Sequence, residues 1–537
     1  MRRPAHGLRR YPLLIRLLLI WSCALFWSGA TPAASPPGVL VVVQSLDDLV
    51  SIDPAEGFEL SSLEVLASLY ERLVRPDPAD PIHLKPGLAR NWSADPGGRS
   101  LTFELSADAR FSTGRPVRPE DVIYSLSRAV KLNRAPVFIL NELGWTADNV
   151  DSHLTRLDAS HVRISWTTAA GPAFALSIMT APVASILDQT EVLAHQTEGD
   201  AGNVWLKGHS AGSGPFKLRR YIAHEAVVLD ANPLAPAGAP LLKTVVIKNV
   251  TDAATRRLLL EVGDADIARD LGPDQLDALR GKAGLTIEQF PSAAIHYLLF
   301  NTANPDNPAL RNPALWQAAR WLIDYDGLAN KLLRGQYQVH QGFLADGFPG
   351  ALDTTPYHLD VQRAKEILAA GGLGGGAHIK LLVFNQPPYG EIAQSLQASF
   401  ARAGIQLEIV PQLAGELYSK IRTRTEEAAW LYWIPDYFDA NSTAGAFASN
   451  REDGTHTLAW RAGWRIPELT EKTAAALSEQ DTNARITRYL DIQREVQRSS
   501  PYVIALQERS ELAIRANVKG YVQGPTADMS YYDRVTK

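Results

Sequence analysis

Residues 378–412 carry an apolar run, an amphipathic run and a second apolar run: HIKLLVFN, EIAQSLQASFARAG ending at Gly404, and IQLEIVPQ. A strand, a helix and a strand in that order are the rhythm of α/β domains, in which helices cover a sheet. The elements before it fit the same frame. HYLLFN at 296–301 reads as a strand, and Asn312-Pro313 starts a helix carrying Leu315, Ala319, Leu322 and Ile323. DVQRAKEILAAGG is a further helix, with Asp360 as N-cap and Gly371 as its stop. The glycine cluster GGLGGG at 371–376 follows a helix instead of a strand, so it reads as a loop and not as a dinucleotide cradle.

The first half is built differently. VLVVVQ is a continuous apolar strand, and SSLEVLASLYERLV places Leu63, Leu66, Leu69, Tyr70 and Leu73 on one helical face. Leu101, Phe103 and Leu105 alternate between turn residues as in a hairpin, and Pro119 suits the first turn of a helix over RPEDVIYSLSRAV. LLKTVVIKNV is a strand and TDAATRRLLLEVGDADIA a helix leading to a short one. With 537 residues the chain has room for two to four domains.

The opening segment is another kind of polymer. MRRPAHGLRR is basic, LLIRLLLIWSCALFW is apolar apart from Arg16, and Ser28-Gly29-Ala30 supplies small residues. Residues 1–34 read as a secretory signal peptide, the apolar run being too short and interrupted for a membrane span. Arg9-Arg10 leaves the export route open, and an alternative makes Cys23 a lipid acceptor. Removing the leader takes away five Arg and no acid, so the net charge moves from −5 to −10, a balance that does not favour nucleic acid. Cys23 is the only cysteine, which excludes an intrachain disulfide.

Gly208-His209-Ser210-Ala211-Gly212 matches G-x-S-x-G, the nucleophile elbow of α/β-hydrolases. That elbow needs a strand before Ser210 and a helix after it. Here a polar loop precedes it, and Ser213-Gly214-Pro215 followed by the alternation of FKLRRYIAHEAVVLD gives loop then strand. A secreted serine hydrolase using Ser210 is therefore the disfavoured reading.

The same residues carry a resemblance. AGSGPFKLRRYIAHEAVVLDANP is similar to a G-[TS]-G-P-[YF] turn and hairpin of the peptide, opine and nickel family of periplasmic solute-binding proteins. QSLDDLVSIDPAEGFELSSLEVLASLYERLVR resembles that family's opening, and LARNWSADPGGRSLTFELSADARFSTGRPVRPEDVIYSLSR its hairpin region. PALRNPALWQAARWLIDYDGL and DVQRAKEILAAGG resemble two of its helices. The likeness runs over nearly all of the chain after the leader. It departs at Asp47-Asp48 and Ser51-Ile52-Asp53-Pro54, where the family's Leu-Asp-Pro turn aligns two ways.

The resemblance implies a mixed α/β (α+β), bilobal clamp of three domains. Domain I is discontinuous, over 35–75, 182–290 and 505–537; domain II covers 76–181 and domain III 291–504. It implies a periplasmic, monomeric, non-catalytic protein that captures di- or oligopeptides between two lobes and hands them to an ABC permease in the inner membrane. Opines, chelated nickel or haem are the alternative ligands, and a sensor without transport the alternative role. No cofactor is implied, and no cluster with metal-ligand spacing stands out.

TRTEEAAWLYWIPDYFDANS resembles the family's W-x-a-D-Y segment, whose Asp meets a peptide's α-ammonium group. That places Asp436 at the ligand, with Tyr437 beside it and Trp433 three residues before. A carboxylate desolvated by aromatic rings favours a cationic partner; the structural alternative is a turn in which Asp436 binds Asn441 or a nearby N–H. Arg422 or Arg424 falls where a basic residue for the ligand's carboxylate is expected, each equally readable as a solvated charge. Trp430 is read as narrowing the cleft, stacking on a side chain, or core. Asp439-Ala440-Asn441 lacks the family's Asp-Pro.

Overall fold

The computed structural model describes residues 35–451 and 456–537; the signal peptide expected at 1–34, with Cys23, lies outside them. Two mixed sheets dominate. The first has seven strands in the order Leu285–Phe290, Ser510–Arg515, Ile267–Ala268, Val39–Gln44, Thr244–Asn249, Ala226–Ala231, Phe216–Ile222. The second has six, in the order Tyr337–Val339, Tyr502–Glu508, Ile295–Phe300, Ala428–Trp433, Ala377–Phe384, Ile405–Gln412.

The β-α-β unit read at 378–412 is present. Ala377–Phe384 and Ile405–Gln412 pair in parallel, with the helix Tyr389–Ala401 between them. Parallel strands cannot be joined by a tight turn, so a helix must carry the chain back. Ile295–Phe300 sits inside the second sheet with all six side chains buried, as expected of a strand covered on both faces. Asn312 and Asp360 cap their helices, accepting from the N–H groups of Ala314 and Arg363.

A four-stranded antiparallel sheet over 89–165 forms a smaller layer, packed by the helix Pro119–Leu132. It is tied to the segment that follows the strand Val39–Gln44 by a buried ion pair, Arg128 to both oxygens of Asp53 at 2.9 and 2.6 Å, with Asn203 donating to the same carboxylate at 2.7 Å.

Among the described residues the chain passes between the two large sheets at two places, Phe290 to Ile295 and Glu508 to Ser510. The passages lie side by side, the Glu508 N–H donating to the Ala294 carbonyl at 2.9 Å. Two lobes on a paired connection are the mechanical basis of a clamp, because few backbone dihedrals must change to open it.

The serine of the elbow motif sits at a strand entrance. Phe216–Ile222 begins six residues later, and the Ser210 hydroxyl accepts from the Leu218 N–H at 3.3 Å. The neighbouring glycines are there for contact: a Cβ on Gly212 would lie 2.1 Å from the Leu69 carbonyl oxygen, and one on Gly214 2.4 Å from its carbon. Backbone against backbone at that spacing admits only glycine.

Candidate functional site

The Ala428–Trp433 strand leaves the second sheet into Ile434-Pro435-Asp436-Tyr437, and the helix Ala440–Phe447 follows. Asp439 does the structural work of this turn. Its carboxylate accepts from the Asn441 N–H at 2.8 Å and is held by Arg485 through two bonds of 2.8 and 2.7 Å. Asp436 is thereby left free: its N–H donates to the Ser442 hydroxyl at 2.9 Å, while its carboxylate has no hydrogen bond or ion pair among the described residues.

The Asp436 side chain is half-buried, with protein around it on most sides. That burial raises its pKa to about 7, helped by the negative charge of Asp528. An unpaired carboxylate held this way is costly in the empty protein and strongly favours an incoming cation. The turn-forming alternative is not what Asp436 does.

The other predicted residues divide. Trp433 is half-buried, edge-on to Phe447 with ring centroids 6.2 Å apart, and its indole N–H has no partner. Tyr437 points away, into the core of the smaller layer, where it packs on Phe174. Its hydroxyl donates to both oxygens of Glu142 at 2.9 and 3.0 Å, and the Asn441 amide donates to the same carboxylate at 2.8 Å. Burial raises Glu142 to about 8 despite the Tyr437 bond, and the charge of Asp436 adds to the rise. Tyr437 and Glu142 thus tie segments 295 residues apart in the chain.

Trp430 belongs to the core of the second lobe, with no exposed surface, because the strand turns it under the covering helices. Arg422 is exposed in the last turn of the helix Ala414–Thr423, its guanidinium 5.8 Å from the Tyr418 ring. Arg424 stacks on Trp460 at 3.8 Å. No ion pair holds Arg422 among the described residues.

Sequence reasoning missed Glu142 and a set of aromatic residues near the same strand ends: His296, Tyr337, Tyr389, Tyr418 and Tyr432. Tyr432 stands directly opposite His296 across the two strands. The LYW run at 431–433 was the available signal; His296 and Tyr337 come from strands 90 or more residues away, and Tyr389 and Tyr418 from two helices.

The comparisons agree with this architecture. The chain is 27% identical over 504 residues to the probable D,D-dipeptide-binding periplasmic protein DdpA of Escherichia coli (strain K12), covering 93% of this chain and 94% of that one. Its fold matches the dipeptide binding protein from Pseudoalteromonas sp. SM9913 in complex with Met-Leu at a TM-score of 0.81 and 21% identity, over 93% and 100% of the two chains. It also matches NikZ from Campylobacter jejuni in complex with Ni(L-His) at 0.76 and 18% identity, over 94% and 100%. The model of bacterial extracellular solute-binding proteins, family 5 Middle, matches residues 83–455, and the chain belongs to that family.

Proposed function

We propose that this protein captures di- or oligopeptides between its two lobes in the periplasm and presents them to an ABC permease in the inner membrane, acting as a monomer and without catalysis. The observation that carries the reading is the Asp436 carboxylate, desolvated, unpaired and raised to about 7 beside Trp433. A peptide's α-ammonium group is the partner such a carboxylate lacks. Arg422, exposed and without an ion pair among the described residues, is the corresponding candidate for the ligand's carboxylate. Tyr437 serves the site indirectly, by holding the smaller layer against the second lobe through Glu142.

The three-domain division at 35–75 with 182–290 and 505–537, 76–181, and 291–504 remains our assignment. The last boundary is better set after Glu508, where the strand of the second sheet ends. Peptide-binding names among the relatives support the ligand class.

Titration calorimetry with a free dipeptide and its N-acetylated form tests the reading. The free form binds, acetylation weakens binding on the order of tenfold or more, and Asp436→Asn removes the difference. Equal affinity for both forms overturns the role of Asp436. Mass spectrometry of the ligand that co-purifies identifies the class directly, and esterase activity lost in Ser210→Ala contradicts the non-catalytic reading.

A further inference from the structure

A second group of polar side chains gathers on one face of the six-stranded sheet. Tyr337 stands opposite Glu508, and His296 opposite both Tyr432 and Leu506. Directly opposed residues of antiparallel strands share a face, and so do residues two apart on one strand. Tyr337, Glu508, His296 and Tyr432 therefore stand together on one face of the second sheet. Tyr389 and Tyr418 close the group from two helices. The ring centroid of His296 is 4.9 Å from Tyr337, 5.7 Å from Tyr432 and 6.1 Å from Tyr389; Phe384 lies 4.8 Å from Tyr389 and 5.6 Å from Tyr418.

The imidazole at the centre of this box is left unsatisfied. His296 is 2% exposed, and neither ring nitrogen has a hydrogen-bond partner. Among the described residues the only hydrogen bond joining these tyrosine hydroxyls is Tyr418 to Tyr432 at 3.5 Å. The half-buried Glu508 carboxylate has neither a hydrogen bond nor an ion pair among them. Buried polar groups are normally paired, so an unpaired buried imidazole beside a half-buried carboxylate without an ion pair marks a place where a ligand's groups complete the set.

The charge balance states which ligand. Facing the box from the first lobe are Asp48, near Tyr418 and Tyr432, and Asp270 with Arg269, near Glu508. Arg269 is already engaged by Glu64 at 2.8 Å. Arg422 and Arg461 approach at Tyr418. Burial pushes His296 down to about 3, so it stays neutral and offers an acceptor without repelling a cation. Glu508 is pushed up to about 7 by burial and by Asp270. Aromatic faces with a desolvated carboxylate form a receptor for a cation.

The geometry points to Glu508, Tyr337, Tyr389, Tyr432 and His296 as a pocket that takes a cationic side chain of the ligand, a primary ammonium or guanidinium group, separately from the α-ammonium at Asp436. The inference rests on the peptide reading for the ligand's backbone, but the pocket can be tested without it.

The experiment is calorimetry at pH 7.5 with Lys-Ala, norleucyl-Ala, Ala-Lys and Ala-norleucine, and with putrescine and butylamine, on the wild type, Glu508→Gln and Asp436→Asn. A lysine peptide should bind about tenfold more tightly than its norleucine counterpart at one of the two positions. Glu508→Gln should bring that ratio near one while leaving the norleucine peptide within about threefold of wild type. Asp436→Asn should weaken both peptides alike. No preference for lysine in the wild type, a preference for aromatic or neutral side chains, or a preference that survives Glu508→Gln overturns the pocket and leaves the peptide reading standing. If no dipeptide binds, the peptide reading fails, and putrescine decides the pocket: binding lost in Glu508→Gln supports it, and no cation binding overturns it.

Discussion

At the scale of single residues, the protein separates two aspartates that sit three apart in sequence. Asp439 is saturated by Arg485 and a helix N-terminus, whereas Asp436 keeps an empty carboxylate raised to about 7. Because its pKa is above the unfolded value, its favourable contribution to stability is complete below about pH 4 and is lost as pH rises through about 7. Asp436→Asn cannot ionise, so the ligand-free variant should be more stable than wild type at pH 8 by about 1–2 kcal/mol, allowing for solvent screening, and equal to it near pH 4. Urea melts at the two pH values check this. Binding of a free-amine peptide should fall roughly tenfold per pH unit below 7, as the carboxylate protonates, and decline again above about 8 as the ligand's α-amino group loses its proton. A flat affinity between pH 5 and 8 would show that Asp436 does not meet the ammonium group.

At the scale of elements, two contacts decide how the layers meet. The Glu142 carboxylate takes three hydrogen bonds from Tyr437 and Asn441, joining the smaller layer to the second lobe. Glu142→Ala leaves a buried hydroxyl and an amide unpartnered, a cost of about 1–3 kcal/mol for each such group. The expected outcome is weaker ligand binding by roughly tenfold and a larger radius of gyration in X-ray scattering with ligand present. Glu142→Gln keeps an acceptor for Tyr437 and should recover most of the loss. The second contact is the strand entrance against the helix Leu60–Leu69. Gly214→Ala would press a methyl onto the Ser68 and Leu69 backbone at about 2.5 Å and should destabilise the protein by about 2–3 kcal/mol. Ser210→Ala beside it loses one long hydrogen bond and should cost under about 1 kcal/mol.

At the scale of the whole molecule, function follows from a chain that leaves one sheet and returns to it. Among the described residues, the passages at 291–294 and at Arg509 alone connect the large sheets, so the lobes can move as bodies while each core stays packed. A ligand that touches both lobes binds the closed arrangement better and shifts the population toward it. Scattering with and without a bound peptide should show compaction in the wild type. Asp436→Asn should reduce that compaction at subsaturating ligand.

Much of this was legible in the sequence because the signals are local. The β-α-β unit at 378–412, the caps at Asn312 and Asp360 and the loop-to-strand context of Ser210 each depend on residues within one or two elements of each other. Family motifs pointed to Asp436, whose role at a ligand is our proposal. Tyr437 was expected beside it from the family motif and its side chain lies in another layer, while Trp430, readable as cleft or core, is core. The strand's twist and the packing on its two faces set those directions, and neither is written in a short motif. Glu142 and the group of His296, Tyr337, Tyr389 and Glu508 were not legible at all, because strands and helices distant in sequence bring them together. The sequence by itself determined the elements, their caps and the family. Only the tertiary structure decided which polar groups were left unpaired, since that depends on every neighbour that packing supplies or withholds.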